Sequence, residues 1–195
     1  MFQPEVKLEF VRRYCPPSEG WRVYVDIDAS EEGRTGGARI TSEARLQQQR
    51  MIEAAVRVRA EFKTLGVQIG GCRTDWHGTH GLPPVAGDRD IVAFHEKRGI
   101  CLIVEAEGAS SGQPETKLYK AIGQLVMAAS SVCLREWTVA LVLVANGNEI
   151  TEHLNRATAL TKLDISALAL DDDPQKDQWC FPDALLPKLL LGEPK

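Results

Sequence analysis

The chain has 195 residues, of which 44% are hydrophobic, and carries a formal net charge of −4. No apolar run reaches the ~18–20 residues of a membrane helix, and the acidic balance is the wrong sign for a nucleic-acid footprint spread over the whole surface. The opening MFQPEVKLEFVRR places charges where a signal peptide has an apolar centre, so a cytoplasmic protein with no membrane partner is expected.

In chain order, WRVYVDID (21–28) alternates and is rich in β-branched and aromatic residues, which predicts a strand. EEGRTGGAR (31–39) reads as a loop. Thr41 or Ser42 can cap a helix running from Arg45 to Lys63, a stretch without Gly or Pro that ends at Gly66. Its apolar side is expected at Leu46, Ile52, Ala55, Val56, Val58 and Phe62. VQIGG (67–71) is a candidate short strand, and CRTDWHGTHGLPPVAG (72–87) a long loop. Residues 89–95 and 100–107 form two strands joined by a tight turn at Lys97-Arg98-Gly99, an antiparallel hairpin. After the loop ASSGQP (109–114), ETKLYKAIGQLVMAAS (115–130) is a helix with Pro114 in its first turn. TVALVLVAN (138–146) is almost wholly apolar, as in a strand covered on both faces. EITEHLNRATALTKLD (149–164) reads as one helix, ISALAL (165–170) as a strand, DDDPQKDQ (171–178) as an acidic loop and FPDALLPKLLL (181–191) as a short helix.

A mixed sheet flanked by helices accommodates this order in a single α/β domain, 1–195. Its core is expected over about 42–146, with an N-terminal strand extension (1–41) and a helical, acidic C-terminal extension (147–195). Charge is unevenly spread: residues 171–195 hold six acids and three bases, whereas 34–59 holds six arginines. Cys15, Cys72, Cys101, Cys133 and Cys180 are odd in number and form no C-x-x-C pair, which predicts free, mostly buried thiols.

The chemistry concentrates in DRDIVAFHEKRGICLIVEAEG (88–108). Along the second strand Cys101, Ile103, Glu105 and Glu107 share one face. The two carboxylates then stand about 6–7 Å apart at the end of a strand apolar enough to be buried. At an effective dielectric near 20 they repel by roughly 2–3 kcal/mol. Solvent, a raised pKa or a bound cation would relieve this. Asp90 opens the neighbouring strand, so Asp90, Glu105 and Glu107 can converge as hard oxygen ligands of the kind Mg²⁺ prefers. In the following helix Lys117, Lys120 and Gln124 fall on one stripe, placed to meet phosphate groups. The same stripe also reads as an ordinary solvated face.

These residues resemble the PD-(D/E)XK nuclease superfamily, the restriction-endonuclease-like fold. D-R-D-I-V-A-F supplies its Asp (Asp90), L-I-V-E-A-E-G its acidic residue (Glu105), and K-A-I-G-Q-L resembles a K-A-x-G-Q segment of some members. The resemblance implies an αβββαβ core, Mg²⁺ or Mn²⁺ held by Asp90, Glu105 and Glu107, and hydrolysis of phosphodiesters, first of all in DNA. It further implies Lys117 or Lys120 acting at the phosphate, Lys120 and Gln124 contacting nucleic acid, and room for a homodimer. Glu107 stands where the family has lysine. Three alternatives follow: Glu107 works near the metal, the lysine has moved to the helix, or the fold persists without activity as a binding or assembly module. Glu43 matches a place where some members carry a further acid. His77, His80 and Trp76 in the 72–87 loop are candidates for substrate contact, and the two histidines lack a third ligand for a metal site.

Overall fold

A computed structural model describes residues 1–27, 42–70, 89–109, 114–131, 137–146, 148–181 and 186. Its helices are α1 (Gln3–Tyr14), α2 (Ser42–Leu65), α3 (Pro114–Ser131), α4 (Asn148–Arg156) and α5 (Ala159–Lys162). Its strands are β1 (Arg22–Val25), β2 (Gln68–Ile69), β3 (Ile91–His95), β4 (Ile100–Glu107), β5 (Thr138–Asn146), β6 (Ile165–Leu170) and β7 (Gln178–Trp179).

The seven strands form one mixed sheet in the order β2-β1-β3-β4-β5-β6-β7. β1 pairs antiparallel with β3, and β3 antiparallel with β4. β4, β5 and β6 then run parallel. The apolar runs ICLIV and VALVLVA occupy the middle of the sheet because both of their faces are covered. On one face Val104, Ala106, Val142 and Val144 share a core with Val6, Phe10 and Val11 of α1, and α2 joins it through Ala55, Val58 and Phe62, packed on α1 and β2. On the other, Cys101, Ile103, Leu141 and Leu143 meet Leu118, Ala121 and Leu125 of α3, Leu154 of α4 and Leu160 of α5. Gly99, at φ 61°, closes the β3–β4 hairpin in a conformation that disfavours a side chain.

Four expectations need correction. The N-terminal extension begins with a helix: α1 starts with Pro4 in its first turn and Glu5 accepting the Phe2 backbone N–H at 2.8 Å. It packs on the same sheet as the residues expected to form the core, so the sheet and its cover reach back before residue 42. In α2 the buried stripe is Ala54, Ala55, Val58 and Phe62, whereas Leu46 and Val56 are exposed. The stripe faces α1 and β2 rather than following the largest side chains. The stretch 149–164 is two helices, because Thr158 and Thr161 bond locally and Leu160 turns into the core. The acidic 171–178 segment contains a 3-10 turn (Pro174–Lys176) and leads into β7. Of the C-terminal helix expected at 181–191, only Phe181 and Leu186 are described; Leu186 is buried, and its N–H donates to Ser166 Oγ.

Cys15 and Cys101 are buried free thiols and Cys180 is a half-buried one, while Cys72 and Cys133 lie outside the described residues. Among the described residues, no helix is long and apolar enough to cross a membrane.

Candidate functional site

The β3–β4 register pairs Ile91 with Val104, and one further step sets Asp90 across from Glu105. Asp90 is held from three sides. Its Oδ2 accepts the Ala106 backbone N–H at 2.8 Å and Gln3 Nε2 at 3.4 Å. Its Oδ1 forms a 2.9 Å ion pair with Lys7 Nζ. The Asp90 carbonyl also accepts the Asp26 N–H at 2.9 Å, which ties the site to the end of β1.

Glu105 and Glu107 lie on the face covered by α3, and both are buried, at 3% and 8% exposure. Of the three reliefs that the sequence left open, solvent therefore scarcely reaches either carboxylate. Arg89 Nη1 approaches Glu105 Oε1 at 3.8 Å, too far for a hydrogen bond, and that oxygen is buried without a hydrogen-bond partner. Burial is the main force on this carboxyl. With Asp90 close by, it pushes the Glu105 pKa up to about 9, against opposing pulls from Arg89 and Lys7. Burial also raises Glu107, which Lys117, 3.6 Å away, and Lys120 oppose.

The structure therefore brings together Asp90, Glu105, Glu107 and Lys117. Lys120 and Gln124 stand about 4.5 and 10.5 Å of helix rise further along α3. Lys120 is exposed and acts on Glu107 only through its charge, and Gln124 is half-buried. Glu43 is exposed in the first turn of α2. Trp76, His77 and His80 lie outside the described residues. Among the described residues, no group of three or more His, Cys, Asp or Glu is arranged to hold a metal ion.

Lys7 is the residue that the sequence reading missed. It has no exposed surface, and its ammonium also donates to the Asp26 carbonyl at 2.7 Å. Lysine is almost never fully buried unless paired. A signal was present: Gln3, Lys7, Phe10 and Tyr14 share one helical stripe, so a charge sits where core is expected. Gln3 and Arg89, the other unforeseen members, carry no comparable signal.

Taken together, three carboxylates meet three cations, Lys7, Arg89 and Lys117, at one end of the sheet. The chain matches no family model, no curated protein and no solved structure in the comparisons made.

Proposed function

We propose that the chain is a metal-dependent nuclease of the PD-(D/E)XK type that hydrolyses phosphodiesters, with DNA the first substrate to test. The observation that carries this reading is the buried Glu105 oxygen, without a hydrogen-bond partner, beside Asp90 on paired strands. A carboxylate pair with an unfilled acceptor suits a hard divalent ion, and Mg²⁺ commonly takes only one or two protein carboxylates. Further support comes from the element order. α1, β1, β3, β4, α3 and β5 run helix, three antiparallel strands, helix, parallel strand, with α2 and β2 inserted between β1 and β3.

In this reading Asp90 and Glu105 hold Mg²⁺ or Mn²⁺, and Glu107 lies next to them. The ion, when bound, supplies positive charge to the scissile phosphate and acidifies an attacking water. The protein's own groups do the rest. The Ala106 N–H and Gln3 fix the orientation of Asp90. Lys117, paired with Glu107, offers an ammonium toward phosphate oxygens, and exposed Lys120 extends that positive edge.

A second reading, the same fold serving as a non-catalytic binding or assembly module, is favoured by the protein cation standing within 4 Å of each carboxylate. One experiment separates the two. Single- and double-stranded DNA and RNA are incubated with the protein and Mn²⁺ or Mg²⁺, alongside Glu105→Ala and Asp90→Ala. Cleavage lost in both variants supports the nuclease. No cleavage of any substrate leaves only the second reading.

A further inference from the structure

We infer that Lys7 is a tethered cation: its ammonium occupies a cation position of the carboxylate cluster, between Asp90 Oδ1 and the Asp26 carbonyl, so that the site takes one divalent ion rather than two. The inference rests on the metal reading above for the ion that remains.

Three observations lead here. The first is placement. Lys7 lies on a helix that otherwise buries Val6, Phe10 and Val11 against the sheet, and an apolar residue would fill that position without desolvating a charge. The ammonium is therefore explained by what it meets and not by the core around it.

The second is the chemistry of its partners. A carboxylate oxygen at 2.9 Å and a backbone carbonyl oxygen at 2.7 Å are the hard donors that Mg²⁺ and Ca²⁺ also take. With the ammonium on both, a metal ion is left the Glu105 side of Asp90, where the oxygen lacks a hydrogen-bond partner. A second ion beside Lys7 would face a like charge at contact distance.

The third is that Lys7 is held in place. Gln3, one turn earlier, binds the same carboxylate. Phe2 bridges to Ala109, whose N–H donates to the Met1 carbonyl at 2.8 Å. Between them, a Cβ on Gly108 would lie 2.4 Å from Gln3 N. The start of α1 is thus pressed onto the chain just beyond Glu107, which fixes the helix that carries Lys7 beside the cluster.

The test uses the full chain and counts Mn²⁺ by electron paramagnetic resonance and calorimetry in the native protein, Lys7→Met and Lys7→Ala. Circular dichroism checks that each variant is folded. The native chain is expected to bind one ion. Lys7→Met keeps the volume and removes the charge, so it should bind one ion about tenfold tighter or better, because a repelling charge has gone. Lys7→Ala should bind two. If Lys7→Ala does not fold, the affinity of Lys7→Met decides. A native chain that binds two ions, or variants that match it in number and affinity, overturns the inference. If the native chain binds none and Lys7→Ala gains an ion, the role of Lys7 stands and the metal-dependent nuclease reading fails. If neither protein binds an ion, the inference falls with it.

Discussion

The burial of Glu105 makes fold stability depend on pH in a direction opposite to that of most carboxylates. With no metal bound, burial and then the nearby Asp90 push the native carboxyl up to about 9, against an ordinary value of 4.5 in the unfolded chain. Between these limits the native state holds one proton more than the unfolded state, so stability falls as pH rises. The contribution is fully present below the unfolded value and lost as pH passes the folded one. One proton of difference sets a slope of about 1.4 kcal/mol per pH unit. From pH 6 to pH 8 that amounts to about 2.7 kcal/mol, or roughly 5–10 °C in Tm for a chain of this size. Glu105→Gln keeps the shape and cannot ionise. Urea and thermal unfolding of both proteins in chelator at pH 6, 7 and 8 give the contribution by difference, with the four histidines and Glu107 common to both. The native protein should lose ground to the variant steadily over this range. Parallel stability curves for the two proteins would refute the reasoning, since they would mean that Glu105 is already ionised when folded.

Gly108→Ala should cost about 1–3 kcal/mol, because the new methyl meets backbone atoms of Phe2 and Gln3 that cannot rotate aside; a lower urea midpoint and faster proteolysis within α1 would check it. Asp177→Asn weakens the clamp in which one carboxylate accepts from Arg13, the Tyr14 hydroxyl and the Asp171 N–H. About 1–3 kcal/mol of stability should go with it. The Tyr14 phenol, raised first by burial and then by Asp177, should titrate at lower pH when followed by ultraviolet absorbance. Val56→Lys, at an exposed site on α2, should change the unfolding free energy by no more than about 0.5 kcal/mol.

The strands were legible in proportion to how completely they are covered. β4 and β5 fall on the residues that their apolar runs mark, 100–107 and 138–146, because burial on both faces writes an unbroken pattern. The hairpin followed from Lys97-Arg98-Gly99, and with it the approach of Asp90 to Glu105. α1 was not legible as a helix. It spans 12 residues, its buried stripe is interrupted by Lys7, and its partners lie far along the chain. The burial of α2 was read from side-chain size, and Leu46 and Val56 misled, because the tertiary fit selects the Ala54–Ala55 edge. The same division runs through the site. Asp90, Glu105, Glu107 and Lys117 come from adjacent strands and the helix that follows, so local spacing placed them. Lys7 and Gln3 arrive from a helix more than eighty residues away in the chain; periodicity can mark Lys7 as a charge in a core stripe but does not name the partner it meets.

The outermost strands, β2 and β7, are two residues long each, whereas the eight- and nine-residue apolar strands sit in the middle of the sheet. A long flat edge would offer a ladder of unpaired backbone groups to any neighbouring chain, with the risk of edge-to-edge aggregation. Here the segments most able to feed such growth, β4 and β5, are sealed between partners on both edges. Among the described strands, two copies of this chain would find little edge through which to continue the sheet from one molecule into the next.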